Sequence, residues 1–275
     1  MQKSKIIKKM IGNLVAWIIS AILLIPLLLV LFNSLKTKQA SVGMPFSFPE
    51  FPLQFENYLV VIEKGKLLNA FLHSMIYSLG SVLICTILAS MAAYVLSRNR
   101  TRLNNVLYFF IALGIVMPVN FVTLMKTLQL ANLYNTRMGI VLTYAAIQLP
   151  FTFFLIYSFV GKIPRDIDEA GVIDGCSPLK LFFLVIWPLM KPVTITVMVL
   201  SFLNTWNEFT LPLYFVSNSS KWPMTLAVYN FVGMYSREWN LICADIVLTS
   251  LPVILVYLFS QKYIVSGMTA GAVKG

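Results

Sequence analysis

Residues 164–192 read PRDIDEAGVIDGCSPLKLFFLVIWPLMKP, and the organisation of the chain follows from this interval. It is the longest polar interval between apolar runs in the second half of the sequence. Asp166, Asp168, Glu169 and Asp174 within it are four of the ten acids in the whole chain. Local signals divide it into two short helices. Pro164 suits a first helical position, and Asp166, Asp168 and Glu169 follow in the first turns, where carboxylates are favoured by the helix N-terminus. Asp174-Gly175 is a turn and helix-stop signal. Ser177-Pro178 reads as an N-cap followed by a proline at the first helical position, opening a second helix from Leu179 to Trp187 that meets Pro188. Ile163, Ile167, Ala170 and Ile173 or Asp174 recur at helical spacing, so the first helix carries one apolar stripe and one charged face. A rigid amphipathic elbow of this kind offers a surface to be gripped.

The elbow sits in a membrane sequence. Hydrophobic residues make up 59% of the 275, charged residues 11%, and the mean hydropathy is +0.82. Apolar runs long enough to cross a bilayer overrule the one or two soluble domains that length alone suggests. They predict a single all-α transmembrane domain over residues 1–275 with six spans, at about 14–32, 70–96, 105–124, 139–160, 189–215 and 241–259. A two-helix loop at 162–188 separates spans four and five, and 260–275 is a tail. Pro26, Pro118 and Pro150 lie inside spans, where neighbouring helices can satisfy the freed backbone groups. The first apolar run is too long for the core of a cleavable signal and lacks a small-residue cleavage site, so it reads as an anchor. Residues 33–69, rich in proline and phenylalanine, read as an ordered external loop with an amphipathic segment at 56–68.

Basic residues orient the spans. With the N-terminus inside, thirteen of the twenty-one lysines and arginines fall on the inner side, four of them in the elbow, and eight on the outer side. That excess predicts cytoplasmic N- and C-termini and a cytoplasmic elbow. The net charge of +11 is therefore topology. The basic residues are scattered, without the dense basic face that nucleic acid requires.

No G-x4-G-K-[ST] occurs, so the chain has no phosphate-binding loop of its own. One histidine, His73, cannot make a histidine metal set and reads as a satisfied polar residue at a helix start. Cys85, Cys176 and Cys243 neither pair by spacing nor resemble metal ligands. Only Glu208 and Asp245 are acids within apolar spans, where ionisable groups are costly and usually face a cavity or a partner. Glu208 closes the run Asn204-Thr205-Trp206-Asn207-Glu208, and Asp245 lies near the outer end of span six. Two readings of the run stay open: a polar site lined by Asn204, Trp206, Asn207 and Glu208, with Asp245 nearby, or an interfacial aromatic belt with a helix end beside it.

The elbow also resembles a known motif. Glu169-Ala170-Gly171, Gly175 after a gap of three, and Val185-Ile186-Trp187-Pro188 are similar to the EAA loop, EAA-x3-G-x9-I-x-L-P, of the membrane subunits of binding-protein-dependent ABC importers. Gly171, Val185 and Trp187 depart from it. Phe71-Leu72-His73-Ser74, Asn135-Thr136, Leu149-Pro150-Phe151, Ile163-Pro164, the Trp206-to-Phe209 run and the closing 267–275 resemble the carbohydrate, maltose-type branch, over about residues 10–275. The resemblance implies half of a heterodimeric pore for a sugar or oligosaccharide in a bacterial-type cell membrane, beside a second homologous permease. Two ATP-binding subunits would dock at the loop through Asp168, Glu169, Ala170, Gly171, Asp174, Gly175 and Pro188. ATP and magnesium would bind on those subunits and no cofactor on this chain, which would be no enzyme. An extracytoplasmic solute-binding protein would deliver the sugar. Trp206 would supply an aromatic face, Asn204 and Asn207 amides, and Glu208 and Asp245 carboxylates along the path. The alternatives are an importer permease for another solute class and, from a different class, a secondary transporter driven by an ion gradient. The latter predicts intramembrane charge pairs and internal repeats, and neither is visible.

Overall fold

The computed structural model describes residues 2–99, 101–233 and 237–272, and the side-chain surroundings within them from 9 to 263. The expectations for Arg100 and for residues 273–275 lie outside the described residues. Among the described residues regular structure is helical, the principal helices being α1 Gln2–Ser34, α2 Glu56–Lys64, α3 Leu67–Arg98, α4 Arg102–Val116, α5 Phe121–Leu130, α6 Arg137–Val160, α7 Asp166–Ile173, α8 Pro178–Leu189, α9 Lys191–Asn207, α10 Thr210–Phe215 and α11 Trp239–Ala272. Four are long and apolar enough to cross a membrane: Lys9–Ser34, Leu67–Arg98, Arg137–Val160 and Trp239–Tyr263. A fifth crossing is available if α8 and α9, which meet at an 80° bend, act as one broken span.

The differences from the sequence reading follow from backbone chemistry. The stretch expected as one span over 105–124 is two helices. Pro118 disfavours helical geometry in the residue before it, and Met117 is extended with ψ 123°, so α4 stops at Val116. Its fifteen residues reach about 22 Å, less than the roughly 30 Å apolar core of a bilayer. Asn120 then starts α5, its Oδ1 accepting from the N–H groups of Val122 and Thr123 at 3.1 Å each. The expected span 189–215 also breaks, at Glu208, whose ψ of 126° is extended. The expected tail from residue 260 instead prolongs α11 as far as Ala272.

Packing divides the chain into two compact units, Met1–Leu68 with Ala227–Leu251, and Asn69–Leu226 with Pro252–Gly275. In the first, the loop after α1 is pinned by Lys36, whose ammonium donates to Asn33 Oδ1 at 3.2 Å, the Pro45 carbonyl at 2.8 Å and Ser47 Oγ at 3.0 Å. Burial without a carboxylate partner at that site holds the Lys36 amine below its usual range. Asn57 donates to the carbonyls of Ser34 and Lys36 and accepts from Asn240 at 2.9 Å, while Lys38 pairs with Glu238 at 2.7 Å.

In the second unit, α3, α6 and α9 pack around two apolar clusters. One joins Ala89, Ala93, Leu96, Phe153, Ile156 and Val160 to Leu181, Phe182 and Ile186 of α8. The other joins Tyr77, Ile140, Val141 and Tyr144 to Leu211 and Phe215. The buried face of α3 is lined by small polar groups, Ser74, Ser78, Ser81, Thr86 and Ser90. Small side chains let helix backbones approach closely in a membrane, where no hydrophobic drive acts between helices.

Candidate functional site

The elbow is built by the local signals of its sequence, with three differences. Arg165 stands at the N-cap of α7, so Pro164 lies just ahead of the helix and not in its first position. The Arg165 carbonyl accepts from Asp168 at 2.8 Å and Glu169 at 3.1 Å. At the other end Gly175 has φ +76°. Its N–H bonds the Val172 carbonyl, and the Cys176 N–H bonds the Gly171 carbonyl, both at 3.0 Å. This pair of bonds is the Schellman closure, and its left-handed residue is usually glycine because a side chain there is strained. Ser177, extended at ψ 157°, precedes Pro178, but its hydroxyl bonds no helix N–H.

The second difference is that α8 does not stop at Pro188 and runs on to Leu189. A proline inside a helix lacks the N–H and crowds the carbonyl four residues back. Leu181–Ile186 relieves this by widening into a π turn, with the Trp187 N–H bonding the Phe182 carbonyl five residues back.

The third concerns the faces of α7. The expected stripe through Ile163, Ile167, Ala170 and Ile173 is split. Ile163 and Ile167 pack into the cluster around Leu96 and Phe182, and the inward face continues through Asp168 and Gly171. Ala170 is exposed and Ile173 is 85% exposed, beside Val172 at 63% and Leu179 at 61%. Gly171 is buried where the two short helices meet, and a Cβ there would stand 2.5 Å from Leu181 Cδ1. This approach accounts for a glycine where the motif it resembles has alanine. Glu169, Asp174 and Pro188 are exposed, whereas Asp168 turns inward and accepts from Tyr94 Oη at 2.6 Å.

A cavity of about 220 Å³ opens between α6 and α9 of the second unit. Tyr144, Gln148 and Phe151 line it from α6, and Ser201, Asn204 and Thr205 from α9, with Glu208 at its edge. Gln148 Nε2 donates to Thr205 Oγ1 at 2.5 Å, while Gln148 Oε1 is buried without a hydrogen-bond partner among the described residues. Glu208 Oε1 accepts from the N–H groups of Thr210 at 2.6 Å and Leu211 at 3.1 Å, so the carboxylate also caps α10. Of the expected path residues, Asn204 and Glu208 line this cavity. Trp206 is only 2% exposed, its ring stacked on Phe202 and edge-on to Phe71, and Asn207 is exposed elsewhere on the surface. Asp245 belongs to the other unit and is buried, with Oδ1 lacking a hydrogen-bond partner among the described residues. His73 is buried; it accepts from Arg137 Nε at 3.0 Å through Nε2, which leaves Nδ1 to donate to the Asn69 carbonyl at 2.8 Å.

Sequence reasoning missed Gln148, Tyr144 and Phe151. The available signal was an amide in the middle of an apolar span, directly before Leu149-Pro150. Access to the cavity is measurable. Asn204→Cys is expected to react with a small polar thiol reagent at least ~10-fold faster than the native thiol of Cys85, which is fully buried on α3. Equal rates would place residue 204 out of reach of water.

The described residues thus combine several membrane-length helices, a cavity with polar groups on its wall and an exposed two-helix elbow, the features of a multi-pass membrane protein. Residues 85–270 match the family described as binding-protein-dependent transport system inner membrane component. The diacetylchitobiose uptake system permease protein of Streptomyces coelicolor is 35% identical over 262 residues, covering 94% of this chain and 86% of that protein. The melibiose/raffinose/stachyose import permease protein of Bacillus subtilis is 32% identical over 266 residues, covering 96% of each. A solved bacterial ABC transporter involved in import of the acidic polysaccharide alginate superposes with a TM-score of 0.84 at 22% identity, covering 94% of this chain and 97% of that one. The chain belongs to the family of binding-protein-dependent transport system inner membrane components. It is a non-catalytic membrane subunit of an ABC import system.

Proposed function

We propose that this chain forms half of the translocation pore of a sugar or oligosaccharide importer and is driven through its elbow by separate ATP-binding subunits. Six spans would comprise the four long helices, the bent pair α8–α9 as a fifth and the broken pair α4–α5 together as a sixth. Cytoplasmic termini and a cytoplasmic elbow follow from the excess of inner lysine and arginine. ATP and magnesium belong to the partner subunits, and a second homologous permease and an extracytoplasmic binding protein complete the assembly. A sugar is the solute because its relatives carry saccharide names and the cavity offers amides, hydroxyls, a carboxylate and the Phe151 ring, the groups that hydroxyls and an apolar sugar face call for.

The observation that carries the reading is the outer edge of α7 and α8. Val172, Ile173 and Leu179 are large, apolar and exposed on a loop that the charge pattern assigns to the cytoplasm, next to the charged Glu169. Helices that enter a groove do so through such anchors. Ile173→Glu and Glu169→Lys are each expected to lower the amount of ATP-binding subunit recovered with tagged permease about tenfold, since each 1.4 kcal/mol of docking energy is one decade. Insertion and pairing with the sister permease should continue, because neither residue is in a span. Full recovery with both variants removes the elbow from the docking interface.

A further inference from the structure

The inward face of α7 holds a feature turned away from its exposed outer edge. Arg98, the last residue of α3, and Tyr94, one helical turn earlier, both reach Asp168. Arg98 Nη2 stands 2.8 Å from Asp168 Oδ2, and the Tyr94 hydroxyl donates to Asp168 Oδ1 at 2.6 Å. Arg98 Nη1 donates to the Ile163 carbonyl at 3.0 Å, just before the elbow, and Arg165 Nη2 returns a bond to the Arg98 carbonyl at 3.2 Å. The Arg98 and Asp168 side chains are only 13% and 16% exposed. Tyr94 is also packed on Phe182 of α8, ring centroids 5.5 Å apart, so one residue of α3 touches both arms of the elbow.

A mostly buried ion pair is a poor source of net stability, because desolvation offsets most of the attraction. Its geometry is worth more. One oxygen of the carboxylate accepts the tyrosine hydroxyl and the other faces the guanidinium as an ion pair without aligned hydrogen-bond geometry, while the same guanidinium donates to the carbonyl leading into α7. Rotation or translation of α7 must either carry the end of α3 with it or break all of these contacts together. We propose that Arg98 and Tyr94 are positioning residues that tie the elbow to α3 through Asp168, so that a push on the elbow is delivered to that span. Asp168 then serves the permease side of the elbow while Glu169, Val172 and Ile173 serve the outer side. This deepens the coupling reading given above and rests on it.

The test uses the complete importer, with both permeases, ATP-binding subunits and binding protein, reconstituted in liposomes. In Arg98→Gln, recovery of ATP-binding subunits is expected to stay within about twofold of the parent. Sugar moved per ATP hydrolysed is expected to fall about tenfold, a size typical of couplings between sites. Tyr94→Phe, which removes one hydroxyl and keeps the ring, should lower the same ratio by about threefold. The double variant Arg98→Gln/Asp168→Asn should be no worse than the worse single one, because both changes break one link. Nitroxides at Val95 on α3 and Val172 on α7, both exposed, should give one narrow distance in the parent and a broad distribution in Arg98→Gln. An unchanged ratio in both Arg98→Gln and Tyr94→Phe overturns the tether, and so does an unchanged distance distribution. Loss of ATP-binding subunits in Tyr94→Phe would reassign the cluster to docking and equally overturn it. If Ile173→Glu and Glu169→Lys dock normally as well, the docking reading fails by that separate measurement.

Discussion

Gly175→Val is expected to reduce the ATP-binding subunits recovered with the permease, and the hydrolysis stimulated by loaded binding protein, by tenfold or more, as an estimate built on a left-handed cost of roughly 1–2 kcal/mol that is larger still for a β-branched residue. The site isolates the cause. Gly175 has φ +76°, and an added Cβ would meet nothing within 4 Å. Nothing crowds the Cβ position, so backbone strain is the main source of the effect. The chain relieves that strain by leaving the left-handed region, which breaks the Gly175–Val172 and Cys176–Gly171 bonds and releases the angle between α7 and α8. Gly175→Asn supplies the control, because asparagine tolerates the left-handed region. It should recover most of the parent's docking and stimulation. Equal behaviour of the valine and asparagine variants, measured by co-purification and hydrolysis, would mean that the angle is not set here.

Trp206→Ala is expected to lower stability by about 3–5 kcal/mol, the range for removing a large buried aromatic side chain. The ring is 2% exposed, stacked on Phe202 with centroids 5.4 Å apart and edge-on to Phe71 at 5.9 Å. Its removal leaves a void beside Phe71 of α3 and Phe202 of α9. Thermal unfolding in detergent should show the loss, with Trp206→Phe losing much less. Protein that survives should transport with an ordinary KM, because Trp206 does not line the cavity. A variant of normal stability and raised KM would restore Trp206 to the sugar path.

These two positions also mark what the sequence could disclose. Gly175 was legible because helix stops are local: the Asp174-Gly175 pair, the acids in the first turn and the proline opening the second helix are all read within a few residues. The membrane-length helices were legible for a similar reason, since apolar length is additive along the chain. Direction was not. Trp206 and Asn204 lie two residues apart on one helix, and only the packing of Phe71 and Phe202 decides which of them faces the cavity. Asp168 and Glu169 are adjacent acids with opposite fates, and the hydroxyl that draws Asp168 inward comes from Tyr94, 74 residues earlier. Gly171 stood out only as a departure from the motif and is a clearance for Leu181, a contact between helices that no single-helix signal reports.

The π turn at Leu181–Ile186 has a bearing on the phase of the whole arm. A π turn is an α-helix holding one residue too many, and a residue advances an α-helix by about 100°. Everything on the N-terminal side of that turn, the elbow included, is therefore rotated by about that angle from where an unbroken α-helix of α8 would aim it. The bearing of Ile173 and Glu169 relative to α9 is written as a count of residues between Pro178 and Pro188, and not in the identity of any one of them. Two chains with the same motif letters but one residue more or less in this stretch would present their outer edges in different directions, and would fit different sockets.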